Sequence, residues 1–130
     1  QTFFAMELNA SMAQIFRKRH PRVRLHERSV AEIGKACREE GLSGSAAVDV
    51  IVSGLPWSGF SLALQQELLS ATAAALKPGG VMVTFAYHTG LLLPSGRSFA
   101  RLLPQYFSRV TRSRPVWMNI PPAFVYRCVK

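Results

Sequence analysis

Four short segments of this 130-residue sequence carry side chains fit for chemistry: Glu7, Glu27-Arg28-Ser29, Ser53-Gly54-Leu55-Pro56-Trp57 and Ala86-Tyr87-His88. Each follows a run that reads as a β-strand, and in an open parallel sheet ligands bind beyond the carboxyl ends of the strands. Glu7 fits the carboxylate that accepts hydrogen bonds from a ribose diol in nucleotide-type folds; it equally fits a helix N-terminal carboxylate favoured by the dipole. In the 53–57 turn, Gly54 lets the backbone approach a ligand and Pro56 holds the next carbonyls rigid. Trp57 offers a ring face to a flat or positively charged group such as a sulfonium or a quaternising amine, or else packs over the core. Tyr87, His88 and Asn119 are candidates to orient an amine, with core packing or loop capping as the alternative for each.

The elements that must position these residues follow from periodicity. Thr2 to Leu8 is an apolar, aromatic-rich strand, and Met12, Ile15 and Phe16 recur at helical spacing until His20-Pro21 stops the helix. Val23 to Glu27 alternates as a second strand, Val30, Ile33, Ala36 and Cys37 form a helical stripe ended by Gly41, and 41–45 is a loop. Val48 to Ser53 is a β-branched third strand. Leu64, Leu68, Ala71, Ala75 and Leu76 mark a long helix that ends at Lys77-Pro78-Gly79-Gly80. Val81 to Tyr87 is the fourth strand, Leu91 to Gly96 a loop and Ser98 to Leu103 a short helix. Phe107 to Trp117 and Ala123 to Val129 form a final strand pair around Pro121-Pro122. Strands alternating with helices specify parallel βαβ units with an antiparallel pair added at the end.

The chain suffices for one domain, residues 1–130, and no apolar run reaches the ~18 residues of a spanning helix, so a soluble protein is expected. Sixteen Lys and Arg against seven Asp and Glu give a net charge of +9, a field that attracts nucleic acid or anionic lipid alike. The cations gather in 17–24 and at Arg97, Arg101, Arg109, Arg112 and Arg114. Cys37 and Cys128 have no second Cys or His close enough for a metal-ligand pattern, so no metal is expected; two free, buried thiols in a reducing cytosol fit them best.

Several segments follow one another in a familiar order: Phe4-Ala5-Met6-Glu7-Leu8-Asn9, Phe16-Arg17-Lys18-Arg19-His20-Pro21, 48–56 ending in Ser-Gly-Leu-Pro, Leu76-Lys77-Pro78-Gly79-Gly80, and 117–127 beginning Trp-Met-Asn-Ile-Pro-Pro-Ala. Together they resemble the bacterial phospholipid N-methyltransferases, relatives of the rRNA adenine dimethylases. The resemblance implies an α/β, Rossmann-like fold for S-adenosylmethionine-dependent methyl transfer, with a mostly parallel sheet and a C-terminal antiparallel strand pair. It implies that Glu7, with Leu8 beside it, holds the donor's ribose, that Arg28 and Ser29 lie near its adenine, and that Gly54, Leu55 and Pro56 line the methionine side and the acceptor pocket. Where the family usually has a small or acidic residue, this sequence has Arg28-Ser29. It also opens at what the family treats as its second strand. The first strand and its Gly-x-Gly loop are therefore expected to be missing, leaving an N-terminally truncated domain with a gap between the strands that end at Glu7 and Ser53.

The function expected on these grounds is methyl transfer from S-adenosylmethionine to the amine of a phospholipid headgroup of the phosphatidylethanolamine type, with Tyr87, Trp57 and Asn119 around the amine. The chain would be cytoplasmic and peripheral on the anionic inner membrane face. Methylation of an rRNA or other nucleic-acid base is the alternative enzyme. A basic binding module without a cofactor site is the non-catalytic alternative, and an oligomer is left open.

Overall fold

The computed structural model describes residues 2–42 and 46–130, so Ser43, Gly44 and Ser45 of the expected 41–45 loop lie outside the described residues. Strands and helices alternate as β1 (Phe4–Met6), α1 (Ala10–Arg19), β2 (Arg24–His26), α2 (Ile33–Glu39), β3 (Val48–Ser53), α3 (Leu62–Ala75), β4 (Leu76–Tyr87), α4 (Pro94–Tyr106), β5 (Arg109–Arg112) and β6 (Ala123–Val129). Short 3-10 turns stand at Val30–Glu32, Trp57–Gly59 and His88–Leu92.

The helix starts obey local chemistry. Asn9 caps α1 by accepting the Met12 N–H at 3.1 Å, and Ser61 caps α3 by accepting that of Leu64 at 3.3 Å, each satisfying one orphan donor of a first turn. Arg17, Lys18 and Arg19 sit in the last turn of α1, where the helix dipole favours cations.

The expectation of one mostly parallel sheet is corrected. β1 and β2 form a two-stranded parallel sheet of their own, while the larger sheet runs β3-β4-β6-β5, parallel only between β3 and β4 and antiparallel at β4-β6 and β5-β6. The long registry of β6 against Val81 to Tyr87 makes the difference: the last strand enters between β4 and β5 instead of extending the parallel series. β1 and β3 share no ladder among the described residues, which is the gap expected between them. The two sheets are instead bridged from one side, since Ile33, Cys37 and Ala75 pack with Phe4 and Met6 of β1 and with Val48 and Ile51 of β3.

The core lies between the larger sheet and α3 and α4. Leu68, Leu69, Met82, Phe99, Leu103, Phe107, Phe124 and Cys128 are buried there, with Trp57 closing one end. The opposite face is less covered. Val50 and Val52 of β3 are 58% and 79% exposed. Met12 and Ile15, whose helical spacing α1 bears out, are exposed as well.

Boundaries moved where tertiary contacts outweigh local signals. The strand expected from Val81 begins at Leu76, because Val48 pairs with Leu76 before the register shifts. Gly79 takes φ +77°, and a Cβ on Gly80 would stand 2.8 Å from the Lys77 carbonyl oxygen, so two glycines let β4 pass this irregularity. The helix expected over 98–103 spans Pro94–Tyr106, with Pro94 at its start, a position where the missing N–H costs nothing. The expected Phe107–Trp117 strand contracts to β5 plus one bridge at Val116–Ala123.

Two outcomes follow. Trp57→Ala should destabilise the fold by about 3–5 kcal/mol, as large-to-small core substitutions do, while Trp117→Ala, at a site 68% exposed, should shift it by less than about 0.5 kcal/mol; urea unfolding of both variants checks the contrast. The second concerns pH. Burial pushes the Cys128 thiol up to about 11 from an ordinary 9.0, and raises Cys37 and Tyr126 in the same direction. The unfolded chain therefore loses these protons first, so the stability that these three groups contribute should be level below about pH 9 and fall as pH rises from 9 towards 11. A pH series of melting temperatures should show this fall, reduced in Cys128→Val.

Candidate functional site

β3 and β4 run parallel, pairing Ser53 with Thr84, so both deliver their carboxyl ends to the same place. Beyond those ends a cleft of about 270 Å³ opens, lined by Gly54, Leu55, Pro56, Trp57 and Ser58 from one strand end and by Phe85, Ala86, Tyr87, Gly90 and Leu91 from the other, with Gly96, Phe99 and Tyr126 behind. None of these side chains is charged. Ser58, Tyr87 and Tyr126 supply the hydroxyls.

The floor is built around Trp57, which is only 3% exposed. Its ring stacks on Phe99 at 4.7 Å and 15° between planes, and its indole N–H donates to Thr84 Oγ1 at 3.1 Å. Gln65, fully buried in α3, donates through Nε2 to the carbonyls of Trp57 at 2.8 Å and Ser95 at 3.0 Å. One amide thereby ties the 57–59 turn to the start of α4. The Ser95 hydroxyl donates to the Ser58 carbonyl, and a Cβ on Gly96 would overlap the Gly90 carbonyl. The back wall therefore requires glycine at 96.

The candidates divide clearly. Gly54, Leu55, Pro56, Trp57 and Tyr87 come together in the cleft. Gly54 has open space where a Cβ would project, with no atom within 4 Å. Trp57 is a packed floor and not an exposed ring wall. Tyr87, at the tip of β4, is 43% exposed. Asn119 does not join them: its amide donates to the Pro121 carbonyl at 3.0 Å within its own exposed loop, so it caps a turn. His88 is exposed, its ring 5.8 Å from that of Trp117 and its N–H donating to the Pro122 carbonyl at 2.7 Å.

Glu7 stands at the tip of β1, half-buried, its Oε1 accepting the Asn9 N–H at 2.8 Å. Leu8 beside it is 69% exposed. Met6 pairs with His26, so the Glu27-Arg28-Ser29 turn opens at the same end as Glu7. That turn is committed to structure. Arg28 donates to Glu39 at 2.9 Å, His26 touches Glu39 at 3.2 Å and Glu40 at 2.8 Å, and Ser29 Oγ accepts the Ala31 N–H. The bond from Arg28 holds the Glu39 carboxyl below its ordinary range. This network locks the tip of β2 to the end of α2, a role for Arg28 and Ser29 that the sequence did not signal.

Reading the sequence also missed Phe85, Leu91, Gly96 and Tyr126. The alternation of β4 places Phe85 on the same face as Tyr87, a usable signal; Leu91 and Gly96 sat in what read as a loop, and the 3-10 turn His88–Leu92 carries the first to the cleft while the longer α4 carries the second.

No protein-family model matches this sequence, and no curated protein matches it. Solved structures do. A protein provisionally described as an rRNA methylase from Clostridium thermocellum superimposes with a TM-score of 0.67 at 16% identity, covering 97% of this chain and 71% of that one. The N-methyltransferase NodS from Bradyrhizobium japonicum, solved with S-adenosylhomocysteine, gives 0.67 at 10% identity over 98% of this chain and 66% of that one. The 1,6-didemethyltoxoflavin-N1-methyltransferase of Burkholderia thailandensis, solved with its substrate and S-adenosylhomocysteine, gives 0.59 at 17% identity over 98% of this chain and 60% of that one. The chain thus spans about two thirds of the length of these neighbours, and it has the α/β fold of the S-adenosylmethionine-dependent methyltransferases, built here on a mixed sheet.

Proposed function

We propose that this chain carries the acceptor half and part of the donor half of an S-adenosylmethionine-dependent N-methyltransferase acting on the amine of an ethanolamine-type phospholipid headgroup. The observation that carries this reading is the uncharged cleft at the shared carboxyl ends of β3 and β4, with open space over Gly54 and Tyr87 at its rim. Among the neighbours, NodS and the toxoflavin-precursor enzyme are N-methyltransferases and another is described as an O-methyltransferase, so the choice of nitrogen rests on the cleft. The donor fits the residues present: the half-buried Glu7 carboxylate suits a ribose diol, and Gly54 leaves room for a ligand at the strand end. Across the interval between β1 and β3, a further parallel strand ending in a glycine turn would complete the donor site.

When bound, the donor supplies an electrophilic methyl on a positively charged sulfur. The chain's residues have the remaining tasks. An uncharged, largely apolar lining disfavours an ammonium ion and so selects the amine with its lone pair free. Leu55, Pro56 and Leu91 keep water from the line of attack, and the Tyr87 hydroxyl orients the nitrogen. The proton leaves to solvent once the new N–C bond has formed. Base methylation is less well supported, because an exocyclic base amine calls for an Asn or Asp acceptor and none lines this cleft.

Calorimetric titration with S-adenosylhomocysteine tests the donor side. An N-terminally extended version should bind and the 130-residue chain should bind weakly or not at all; low-micromolar binding by the 130-residue chain would place the donor elsewhere. In the extended version Glu7→Ala should weaken binding by about 1–3 kcal/mol, the range for unpaired buried polar groups. Gly54→Val should leave the melting temperature nearly unchanged, since the space is open, yet remove methyl transfer from radiolabelled donor to phosphatidylethanolamine. A Gly54→Val variant with full activity would move the acceptor site away from this turn.

A further inference from the structure

Beside the cleft the molecule is both apolar and basic. Leu92 (77% exposed) and Leu93 (49%) follow the cleft residue Leu91, and Val116 (58%), Trp117 (68%), Met118 (96%) and Ile120 (95%) form the tip of the β5–β6 connection. The two loops are neighbours. Tyr87 pairs with Ala123, Val116 bridges Ala123, and the His88 ring lies 5.8 Å from Trp117. Six large apolar side chains thus stand exposed on two loops that meet at His88 and Trp117, an exposure of the kind that marks an interaction site.

Charge identifies what covers it. All seven acidic residues fall within 1–67, while 68–130 contain eight Lys and Arg and no Asp or Glu. Cations of the first part are partly neutralised, Arg17 by Glu27, Arg24 by Glu40 and Arg28 by Glu39. Arg97, Arg112 and Arg114, which flank the two loops, are exposed and take part in no ion pair among the described residues. A second copy of so cationic a surface would repel the first. An interface with anionic headgroups and an apolar interior satisfies both features, and Trp prefers that depth.

We propose that Leu92–Leu93 and Val116–Ile120 are a two-loop anchor that inserts into an anionic bilayer and sets the mouth of the cleft at headgroup level. Its use, delivering an amine headgroup to Tyr87, rests on the phospholipid reading above; its existence does not. No helix of the described residues is long and apolar enough to cross a membrane, so attachment runs through loop tips and arginines, each contributing modestly.

The two tryptophans make the test direct, because Trp57 is buried and Trp117 exposed. Added vesicles of phosphatidylglycerol and phosphatidylethanolamine should shift the emission to the blue and allow quenching by lipids brominated on their chains, and Trp117→Phe should abolish both signals. Met118→Asp with Ile120→Asp, at solvent-exposed positions and with folding verified by circular dichroism, should weaken vesicle binding by on the order of tenfold or more. Added salt should weaken it too. Unchanged emission, equal binding by the double variant, or loss of a dimer in place of vesicle binding would overturn the anchor. In an N-terminally extended version that binds S-adenosylhomocysteine, insertion without methyl transfer to phosphatidylethanolamine would support the anchor and sink only the acceptor assignment; methyl transfer to a short-chain, monomeric lipid with no insertion would do the reverse.

Discussion

The packing of one side chain holds the candidate site together. Trp57 meets β4 through its indole N–H on Thr84, α4 through its ring on Phe99, and α3 through its carbonyl on the Gln65 amide. Each contact alone is modest, about 0.5–1.5 kcal/mol for a stacked pair beyond its burial and about 1 kcal/mol for a hydrogen bond. Their convergence on one rigid ring is what fixes three elements relative to one another. The turn that carries Gly54, Leu55 and Pro56 is thereby clamped immediately after its last residue, which is how a loop gains the definition of a helix or strand.

From that floor the rest of the architecture follows along β4. It is paired on both sides, to β3 in parallel and to β6 in antiparallel, and its inward residues Met82 and Thr84 are buried against α3 and α4. Its outward residues are less fortunate. Phe85 and Tyr87 are each 43% exposed and Val125 beside them 40%, and the neighbouring edge of β3 exposes Val50 and Val52. A sheet with one covered face and one open edge is what results when the layers on its two sides are unequal. The separate β1–β2 sheet stays in place because α2 and α3 reach under both sheets.

Charge is organised just as unevenly. Around α1, β2 and α2 the arginines answer glutamates, and the His26, Glu39 and Glu40 contacts turn part of the basic run near residue 20 into a structural clasp. The cations after residue 68 have no acidic residue of their own segment to answer them. Residues 68–130 thus carry eight of the nine net positive charges, and three of them, Arg97, Arg112 and Arg114, flank the loops where the exposed Leu, Trp, Met and Ile side chains collect.

By itself the sequence determined the order of elements, the bounds of β3 and the positions of the strand-end turns, because period-two and period-3.6 patterns and Asn, Ser and Pro signals are local. It also determined that Gly54, Leu55 and Pro56 would follow one strand end and that Tyr87 would stand at the end of another. Tertiary structure decided the rest. β6 lies between β4 and β5, a pairing across sequence distance that no local pattern encodes. Close packing on the Gly90 carbonyl made residue 96 a position for glycine alone, and pairing with Val48 drew Leu76 into β4. Trp57 became floor and Asn119 a turn cap, since whether an aromatic or an amide faces a ligand depends on which neighbours reach it first. Arg28 and Ser29 show the same: their residue types suit a ligand turn, and the carboxylate of Glu39 and the N–H of Ala31, set close by the packing of α2, took them for the fold.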